Sequence, residues 1–166
     1  MTLVSPVHMV PHMARRKGSP SLPNYGELSA AKNEKTPTPR VLVVEDHEDT
    51  RLMLRTVLEM ENFSVLEAVD GRDALELALL EKPDIILMDL TLPVVDGVTA
   101  TRAIRKNKTI GKTPIIFLSG RAEPAGRKAA FAAGCDDYLV KPINLDDVIS
   151  LMRRWLLQNG GQNEVH

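Results

Sequence analysis

The amino-acid sequence predicts an α/β fold of the doubly wound (βα)5 kind, a five-stranded parallel sheet covered by helices on both faces. Two observations support this prediction. From residue 39 onward, short apolar runs alternate five times with segments of helical periodicity. Several of the runs are apolar at consecutive positions, which is typical of parallel strands that are buried on both faces.

The first two strand–helix units follow from this alternation. RVLVVED, residues 40–46, is an apolar run that ends in acidic residues, and DTRLMLRTVLEMEN, residues 49–62, has helical periodicity. FSVLEAV, residues 63–69, is a short strand, and GRDALELALLEK, residues 71–82, is a helix. The apolar face of this second helix is predicted to hold Leu75, Ala78 and Leu79.

The other three units repeat the pattern and carry recognisable helix ends. Pro124 lies in the first turn of the fourth helix, and Gly134 is its predicted C-cap. Asn144 is the predicted N-cap of the last helix. In chain order the strands and helices are PDIILMDL (83–90), GVTATRAIRKN (97–107), TPIIFLSG (113–120), EPAGRKAAFAAG (123–134), DDYLVKP (136–142) and NLDDVISLMRRWLLQNG (144–160).

Five such units joined by right-handed crossovers predict a sheet of strand order 2-1-3-4-5, the flavodoxin-like arrangement. In sheets of this kind the ligand site lies beyond the carboxyl ends of the strands, where the strand order reverses. For this order the reversal falls between strands one and three. Functional side chains are therefore expected directly after the apolar runs.

The pattern places the folded domain at residues 39–158, between two tails. Residues 1–38 show no periodicity and are rich in Pro, Gly, Ser, Thr and Asn, which predicts a disordered tail. Residues 159–166 are predicted to be a short C-terminal tail. Because no second domain is expected after the last helix, we predict no DNA-binding output on this chain.

Composition narrows the possible functions. Residues 1–40 hold six basic and two acidic side chains, whereas residues 41–166 hold fifteen basic and twenty acidic ones. An acidic folded part is poorly suited to binding phosphate backbones.

No apolar run reaches transmembrane length and no signal peptide is recognisable, so a cytoplasmic protein is expected. The single cysteine, Cys135, excludes an internal disulfide and is predicted to be a small structural residue.

Three carboxylates follow the two strands that meet at the expected site. Glu45 and Asp46 end the first strand, and Asp89 ends the third. Because like charges held close repel each other, this arrangement predicts a bound divalent cation. Hard oxygen ligands favour Mg²⁺, with Mn²⁺ as a substitute. His47 is expected to be a surface histidine at a helix start rather than a ligand.

The last two strands add a hydroxyl group and an ammonium group to the same edge. Ser119 and Gly120 end strand four, and Lys141 and Pro142 end strand five. Carboxylates, a cation, a hydroxyl and a lysine together indicate a site for phosphoryl transfer.

These residues, with Tyr138, resemble the receiver domain of two-component response regulators. The resemblance implies that Asp89 is the phosphoacceptor and that Asp46 binds the cation directly, while Glu45 acts largely through water. It also implies that the backbone carbonyl of Thr91 is a cation ligand and that Lys141 binds the phosphoryl oxygens. Ser119 and Tyr138 correspond to the switch residues of the family. The peptide bond before Pro142 is expected to be cis.

The resemblance implies a signalling switch rather than an enzyme. A histidine kinase or a histidine phosphotransfer protein would phosphorylate it, and it would signal through the face of helix four, strand five and helix five or relay the phosphoryl group. Two alternatives remain. One is a receiver-like docking module that is not phosphorylated. The other is a haloacid-dehalogenase-like phosphatase, which normally needs a second aspartate at the position that Thr91 occupies here.

Overall fold

The structure, a computed structural model, describes residues 37–120 and 124–160. The predicted disordered tail therefore lies outside the described residues, apart from its last two positions. Five strands and five helices alternate along the described chain. They are β1 Arg40–Val44, α1 Glu48–Met60, β2 Ser64–Ala68, α2 Gly71–Glu81, β3 Ile85–Asp89, α3 Gly97–Lys106, β4 Ile115–Ser119, α4 Pro124–Ala133, β5 Asp137–Val140 and α5 Leu145–Gly160.

The sheet has the predicted order β2-β1-β3-β4-β5, and every neighbouring pair is parallel. The register aligns Val44 with Met88 and Asp89 with Leu118. The carboxyl ends of β1, β3 and β4 therefore lie side by side. This alignment brings the polar residues that follow the three strands to one edge.

Two apolar layers hold the helices against the sheet. Because successive strand residues point to opposite faces, Leu42 and Val44 pack on one side while Val41 and Val43 pack on the other. The first layer includes residues of α2, α3 and α4, and the second includes residues of α1 and α5. Both faces are covered, which explains why the strand sequences are apolar without alternation.

The predicted face of α2 was wrong at one position. The buried residues of this helix are Gly71, Ala74 and Ala78, whereas Leu79 is 41% exposed. Ala74 and Ala78 stand one turn apart, and their small side chains form the stripe that meets the sheet. Leu79 lies about 100° further around the helix axis and so faces solvent.

The predicted helix ends are confirmed. Asn144 Oδ1 accepts a hydrogen bond of 3.0 Å from the backbone N–H of Asp146, as an N-cap residue does. Gly134 follows α4 with a φ of 104°, a conformation that favours glycine. Helix α5 ends at Gly160, the last residue of the helix that the sequence predicts. The amide of Asn159 donates to the carbonyl of Trp155 within this last turn.

Cys135 is buried in the apolar layer that α4 covers. Burial, followed by the nearby charge of Asp136, raises the pKa of its thiol to about 12. The thiol therefore stays protonated near neutral pH, and a protonated thiol is a poor nucleophile. This environment fits the structural role expected for Cys135.

Thr101 is a fully buried hydroxyl on α3 whose Oγ1 has no hydrogen-bond partner among the described residues. An unpaired buried hydroxyl costs about 1–3 kcal/mol. Thr101→Val keeps the shape and is expected to raise the free energy of unfolding by about 1 kcal/mol in a urea titration. Thr101→Ser, which keeps the hydroxyl and loses the methyl group, should lower it. A loss of stability in Thr101→Val would show that the hydroxyl is satisfied.

Candidate functional site

A cleft at the carboxyl edge of the sheet gathers most of the predicted site residues. Asp89 is the last residue of β3, Glu45 follows β1, and Lys141 follows β5. The backbone N–H of Lys141 donates to the carbonyl of Ser119 over 2.7 Å, which fixes Lys141 beside the end of β4. The residues that line the cleft are Asp46, His47, Asp89, Thr91, Gly120 and Lys141.

Lys141 bridges two of the three carboxylates. Its Nζ donates to Asp89 Oδ2, and it also donates to Glu45 Oε2 over 2.7 Å. The side chains of Glu45 and Asp89 are almost fully buried, and that of Lys141 is 23% exposed. Burial lowers the pKa of Lys141, but the hydrogen bonds and charges of Asp89 and Glu45 outweigh it and raise the pKa above its ordinary value. The ammonium is therefore charged throughout the neutral range.

Asp89 is held on both of its oxygens. Oδ1 accepts a 2.8 Å hydrogen bond from the backbone N–H of Thr91, and Oδ2 accepts from Lys141. Gly97, at the start of α3, packs directly behind it, because a Cβ there would lie 2.3 Å from the carbonyl oxygen of Asp89. The glycine at the end of the loop after β3 thus lets α3 begin directly against the backbone of Asp89. Only a residue without a side chain fits this position.

His47 and Asp46 form the outer wall of the cleft. His47 Nδ1 lies 3.0 Å from Asp46 Oδ1 and 3.2 Å from Glu45 Oε1. The charge of Asp46, and then the hydrogen bonds to Glu45 and Asp46, raise the pKa of His47. As expected, His47 lies at a helix start with an exposed side chain. Its contact with both carboxylates was not expected.

The charges of the cleft fit a divalent cation. Glu45, Asp46 and Asp89 are three carboxylates, and Lys141 supplies one positive charge, so an excess of two negative charges remains when His47 is neutral. A dication would neutralise this excess, and carboxylate and carbonyl oxygens are the ligands that Mg²⁺ prefers. Asp46, Asp89 and Thr91, which face the same cleft, are the residues positioned to bind it.

Ser119 and Tyr138 are not among the residues that line the cleft. Ser119 is 1% exposed and Tyr138 is 6% exposed. The guanidinium of Arg127, on α4, lies 5.8 Å from the Tyr138 ring and 5.7 Å from the Phe131 ring. Both distances are within the range of a cation–π interaction. The ring of Tyr138 is therefore already inside the protein in this state, held from α4.

Two features of the site were missed in the sequence. The first is the direct contact of the Glu45 carboxylate with Lys141, while the action of Glu45 on a cation through water stays a prediction. The role of Gly97 behind Asp89 was also not recognised. The Asp-Gly pair that ends the loop was a usable signal for Gly97, because such a pair marks a special backbone position. The expected cis bond between Lys141 and Pro142 is confirmed.

Val94 holds an unfavourable backbone conformation in the loop beside Asp89. Its φ is 62°, and the N–H of Val95 donates to the carbonyl of Pro93 over 2.6 Å, which defines a γ-turn of the strained hand. Its side chain is 75% exposed, so packing does not compensate. Val94→Gly is expected to raise the free energy of unfolding by about 1 kcal/mol, measured in urea. Val94→Ala keeps the Cβ and should change stability little; an equal gain would refute the strain.

The sequence comparison identifies the class of protein. Residues 41–153 match the response regulator receiver domain, and the chain belongs to this family. It is 40% identical over 125 residues to the transcriptional regulatory protein ResD of Bacillus subtilis, covering 73% of this chain and 51% of ResD. It is 39% identical over 123 residues to PrrA of Mycobacterium tuberculosis, covering 74% and 52%. The chain thus spans about half the length of these transcriptional regulatory proteins.

The comparison with solved structures agrees with this family assignment. The receiver domain of the sensor histidine kinase PA1611 from Pseudomonas aeruginosa has a TM-score of 0.68 at 34% identity, covers 71% of this chain and 97% of its own, and holds a magnesium ion in its active-site cleft. The chemotaxis protein CheY4 of Vibrio cholerae has a TM-score of 0.67 at 31% identity, with coverage of 70% and 98%. Across the described part of the chain, no helix has the length and apolar character needed to cross a bilayer.

Proposed function

We propose that this receiver domain is a phosphorylation switch in which Asp89 accepts a phosphoryl group from a histidine kinase or a histidine phosphotransfer protein. The observation that supports this most is the contact of Lys141 with both Asp89 and Glu45 at the cleft. A buried carboxylate with a fixed ammonium beside it is poised to become an acyl phosphate without leaving its new charge unbalanced.

The transfer is a substitution at phosphorus. A carboxylate oxygen of Asp89 forms a bond to the phosphorus atom of a phosphohistidine, and the bond from phosphorus to the histidine nitrogen breaks. The nitrogen leaves with the electron pair of the broken bond, and the product is a neutral imidazole because the other ring nitrogen of the phosphohistidine already carries a proton. Each oxygen of Asp89 accepts one hydrogen bond and keeps a second lone pair with which it can attack phosphorus. The contact with Lys141 can move to a phosphoryl oxygen and keep the ammonium paired.

A cation would be held by Asp46, Asp89 and the carbonyl of Thr91, with Glu45 behind them. When bound, Mg²⁺ supplies positive charge that offsets repulsion between the incoming phosphoryl group and the carboxylates. The chain itself supplies the alignment, because Asp89 is fixed at the end of a buried strand. Holding both reactants in line lowers the barrier independently of the cation.

The output would pass through the face formed by α4, β5 and α5, or the phosphoryl group would be relayed onward. Phosphorylation adds roughly two negative charges and three acceptor oxygens at Asp89. The hydroxyl of Ser119, at the end of β4, would bond one of these oxygens. Tyr138 is held by Arg127 of α4, so a shift at Ser119 would be transmitted to that helix. Pro124 and Gly126 give α4 a weakly helical first turn, which favours such a shift.

The proposal is tested by phosphoryl uptake. The full chain, incubated with Mg²⁺ and acetyl phosphate, should gain the mass of one phosphoryl group, and EDTA should prevent the gain. The adduct should hydrolyse in alkali, as an acyl phosphate does. A chain that stays unmodified with acetyl phosphate and with a panel of histidine kinases would refute the switch and leave the docking module as the better description.

A further inference from the structure

We propose that Arg51, on α1, is a positioning residue for the cation site. It holds the backbone of the loop between β1 and α1 and thereby fixes the direction of the Asp46 side chain. The proposal rests on the proposed function in one respect, because it concerns the cation that the phosphorylation switch would use. It goes beyond that function by assigning a role to a residue outside the set that lines the cleft.

The first observation is that one residue binds three successive carbonyl groups. Nη1 of Arg51 donates to the carbonyl of Glu45 over 2.9 Å and to that of Asp46 over 3.5 Å. The backbone N–H of Arg51 donates to the carbonyl of His47 over 3.0 Å. Because the direction of a carbonyl fixes the plane of its peptide group, the Cα atom of Asp46 lies between two fixed planes.

The second observation is that the guanidinium is anchored at its other side on the sheet. Nε of Arg51 pairs with Oε1 of Glu67, on β2, at 3.3 Å, and the Arg51 side chain is mostly buried. The next residue of β2, Ala68, accepts a 3.1 Å hydrogen bond from the backbone N–H of Glu45. The planar fork of an arginine allows both contacts at once. Arg51 therefore connects the acidic loop to a strand of the sheet.

The start of α1 depends on this contact more than the starts of the next two helices do. Asp70 and Asp96 cap α2 and α3, and their carboxylates accept hydrogen bonds from the first turn. His47 is the N-cap residue of α1, and its side chain makes no capping hydrogen bond within the described chain. The loop before α1 is thus fixed through its carbonyl groups, by Arg51.

The consequence for the cation site falls on Asp46. Mg²⁺ demands nearly ideal octahedral geometry, so a ligand that can turn away binds it less well. Groups that orient metal ligands typically contribute 10–100-fold to metal affinity. The positive charge of Arg51 acts in the opposite direction, because it repels a dication, but Glu67 offsets that charge. Loss of Arg51 should therefore weaken Mg²⁺ binding.

The test compares Arg51→Met with Arg55→Met in the full chain. Arg55 stands one turn further along α1 and pairs with the other oxygen of Glu67 at 2.9 Å, while its second ion pair is with Glu59. Arg55→Met therefore removes a similar charge from the same glutamate and leaves the hold on the loop in place. Calorimetric titration should show about tenfold weaker Mg²⁺ binding in Arg51→Met and unchanged binding in Arg55→Met.

A second measurement needs no metal. The backbone N–H groups of Glu45 and His47 are hydrogen-bonded, to the carbonyl of Ala68 and to Oε1 of Glu45. Hydrogen exchange of these two groups, followed by NMR in EDTA, should be faster in Arg51→Met and unchanged in Arg55→Met, because exchange reports local opening.

Phosphoryl uptake from acetyl phosphate separates positioning from a general loss of structure. In Arg51→Met the Mg²⁺ concentration for half-maximal uptake should rise by about tenfold, while the rate at saturating Mg²⁺ should stay close to that of the wild type. A merely structural defect would lower the saturated rate instead. Arg51→Lys keeps the charge but offers a single nitrogen for two contacts, so it should show the same changes to a smaller extent.

Unchanged Mg²⁺ affinity and exchange in folded Arg51→Met, or equal losses in Arg55→Met, would overturn the role of Arg51. If Arg51→Met does not fold, Arg51→Lys replaces it, and unchanged Mg²⁺ affinity in that variant is the contrary result. The proposed function is judged separately on the wild type. Uptake of a phosphoryl group with Mg²⁺ binding that does not depend on Arg51 refutes only this role, and Arg51-dependent Mg²⁺ binding without uptake refutes only the switch.

Discussion

Asp89→Asn is expected to abolish phosphoryl uptake completely. The amide has neither the charge nor the nucleophilic oxygen that the reaction requires. Glu45, the other carboxylate that contacts Lys141, is fully buried and does not line the cleft. Intact-mass analysis after incubation with Mg²⁺ and acetyl phosphate measures the result. The wild type should gain one phosphoryl group, and Asp89→Asn should gain none.

The variant should remain folded. Replacing Asp89 removes one of three neighbouring carboxylates, which relieves repulsion in the cleft. Lys141 keeps its contact with Glu45, so no buried ammonium is left without a partner. The melting temperature of Asp89→Asn should therefore equal or exceed that of the wild type, and loss of the adduct cannot then be ascribed to unfolding.

Asp96→Asn is the matched control. Asp96 lies in the loop that follows Asp89, and its side chain caps α3 by accepting from the N–H of Thr99 over 2.8 Å. Asparagine is also a good N-cap, so the helix start is preserved. This variant should take up phosphate as the wild type does. An adduct that persists in Asp89→Asn, or that is lost in Asp96→Asn, would refute Asp89 as the acceptor.

The strand ends explain why so much of the site was predictable. The apolar run before Asp89 has to be a buried strand, and the parallel order then places its carboxyl end beside those of β1 and β4. Backbone geometry alone therefore brings Asp46, Asp89 and Lys141 to one edge. A residue whose position is set by the end of a regular element can be placed from the pattern of the chain.

Contacts that depend on side-chain direction could not be placed in this way. The periodicity of α2 did not show that Ala74 and Ala78, rather than Leu79, meet the sheet, because that depends on how closely the helix approaches. The bond from Lys141 to Glu45 joins residues 96 positions apart. The turn of His47 toward the carboxylates depends on its rotamer, which no sequence pattern specifies.

The contacts of Arg105 are the clearest example of contacts that depend on side-chain direction. Their loss is expected to lower the stability of the fold more than any other change that we consider. It lies on α3, at the opposite end of the sheet from the cleft. Its Nε donates to the carbonyl of Gly134 over 2.7 Å, and its Nη1 donates to the carbonyls of Gly111 and Thr113. Nη2 pairs with Asp136 at 2.6 Å. One side chain thus joins α3, the loop before β4, the end of α4 and the start of β5.

Arg105→Ala is expected to lower the free energy of unfolding by about 3 kcal/mol, measured in urea. The change leaves three carbonyls and the partly buried carboxylate of Asp136 without this donor, and removing one partner of such a pair costs far more than the pair contributes. Arg105→Lys should recover only part of the loss, since an ammonium cannot reproduce the planar fork of the guanidinium.

Arg154→Ala provides the comparison, because Arg154 pairs with Asp137 at a similar distance of 2.8 Å but is 58% exposed. An exposed pair contributes less than about 1 kcal/mol, so this variant should stay close to the wild type. Equal losses in the two variants would show that Arg105 acts as an ordinary surface charge. Because Arg105 lies away from the cleft, folded Arg105→Ala should still take up a phosphoryl group, which separates the support of the fold from the chemistry of Asp89.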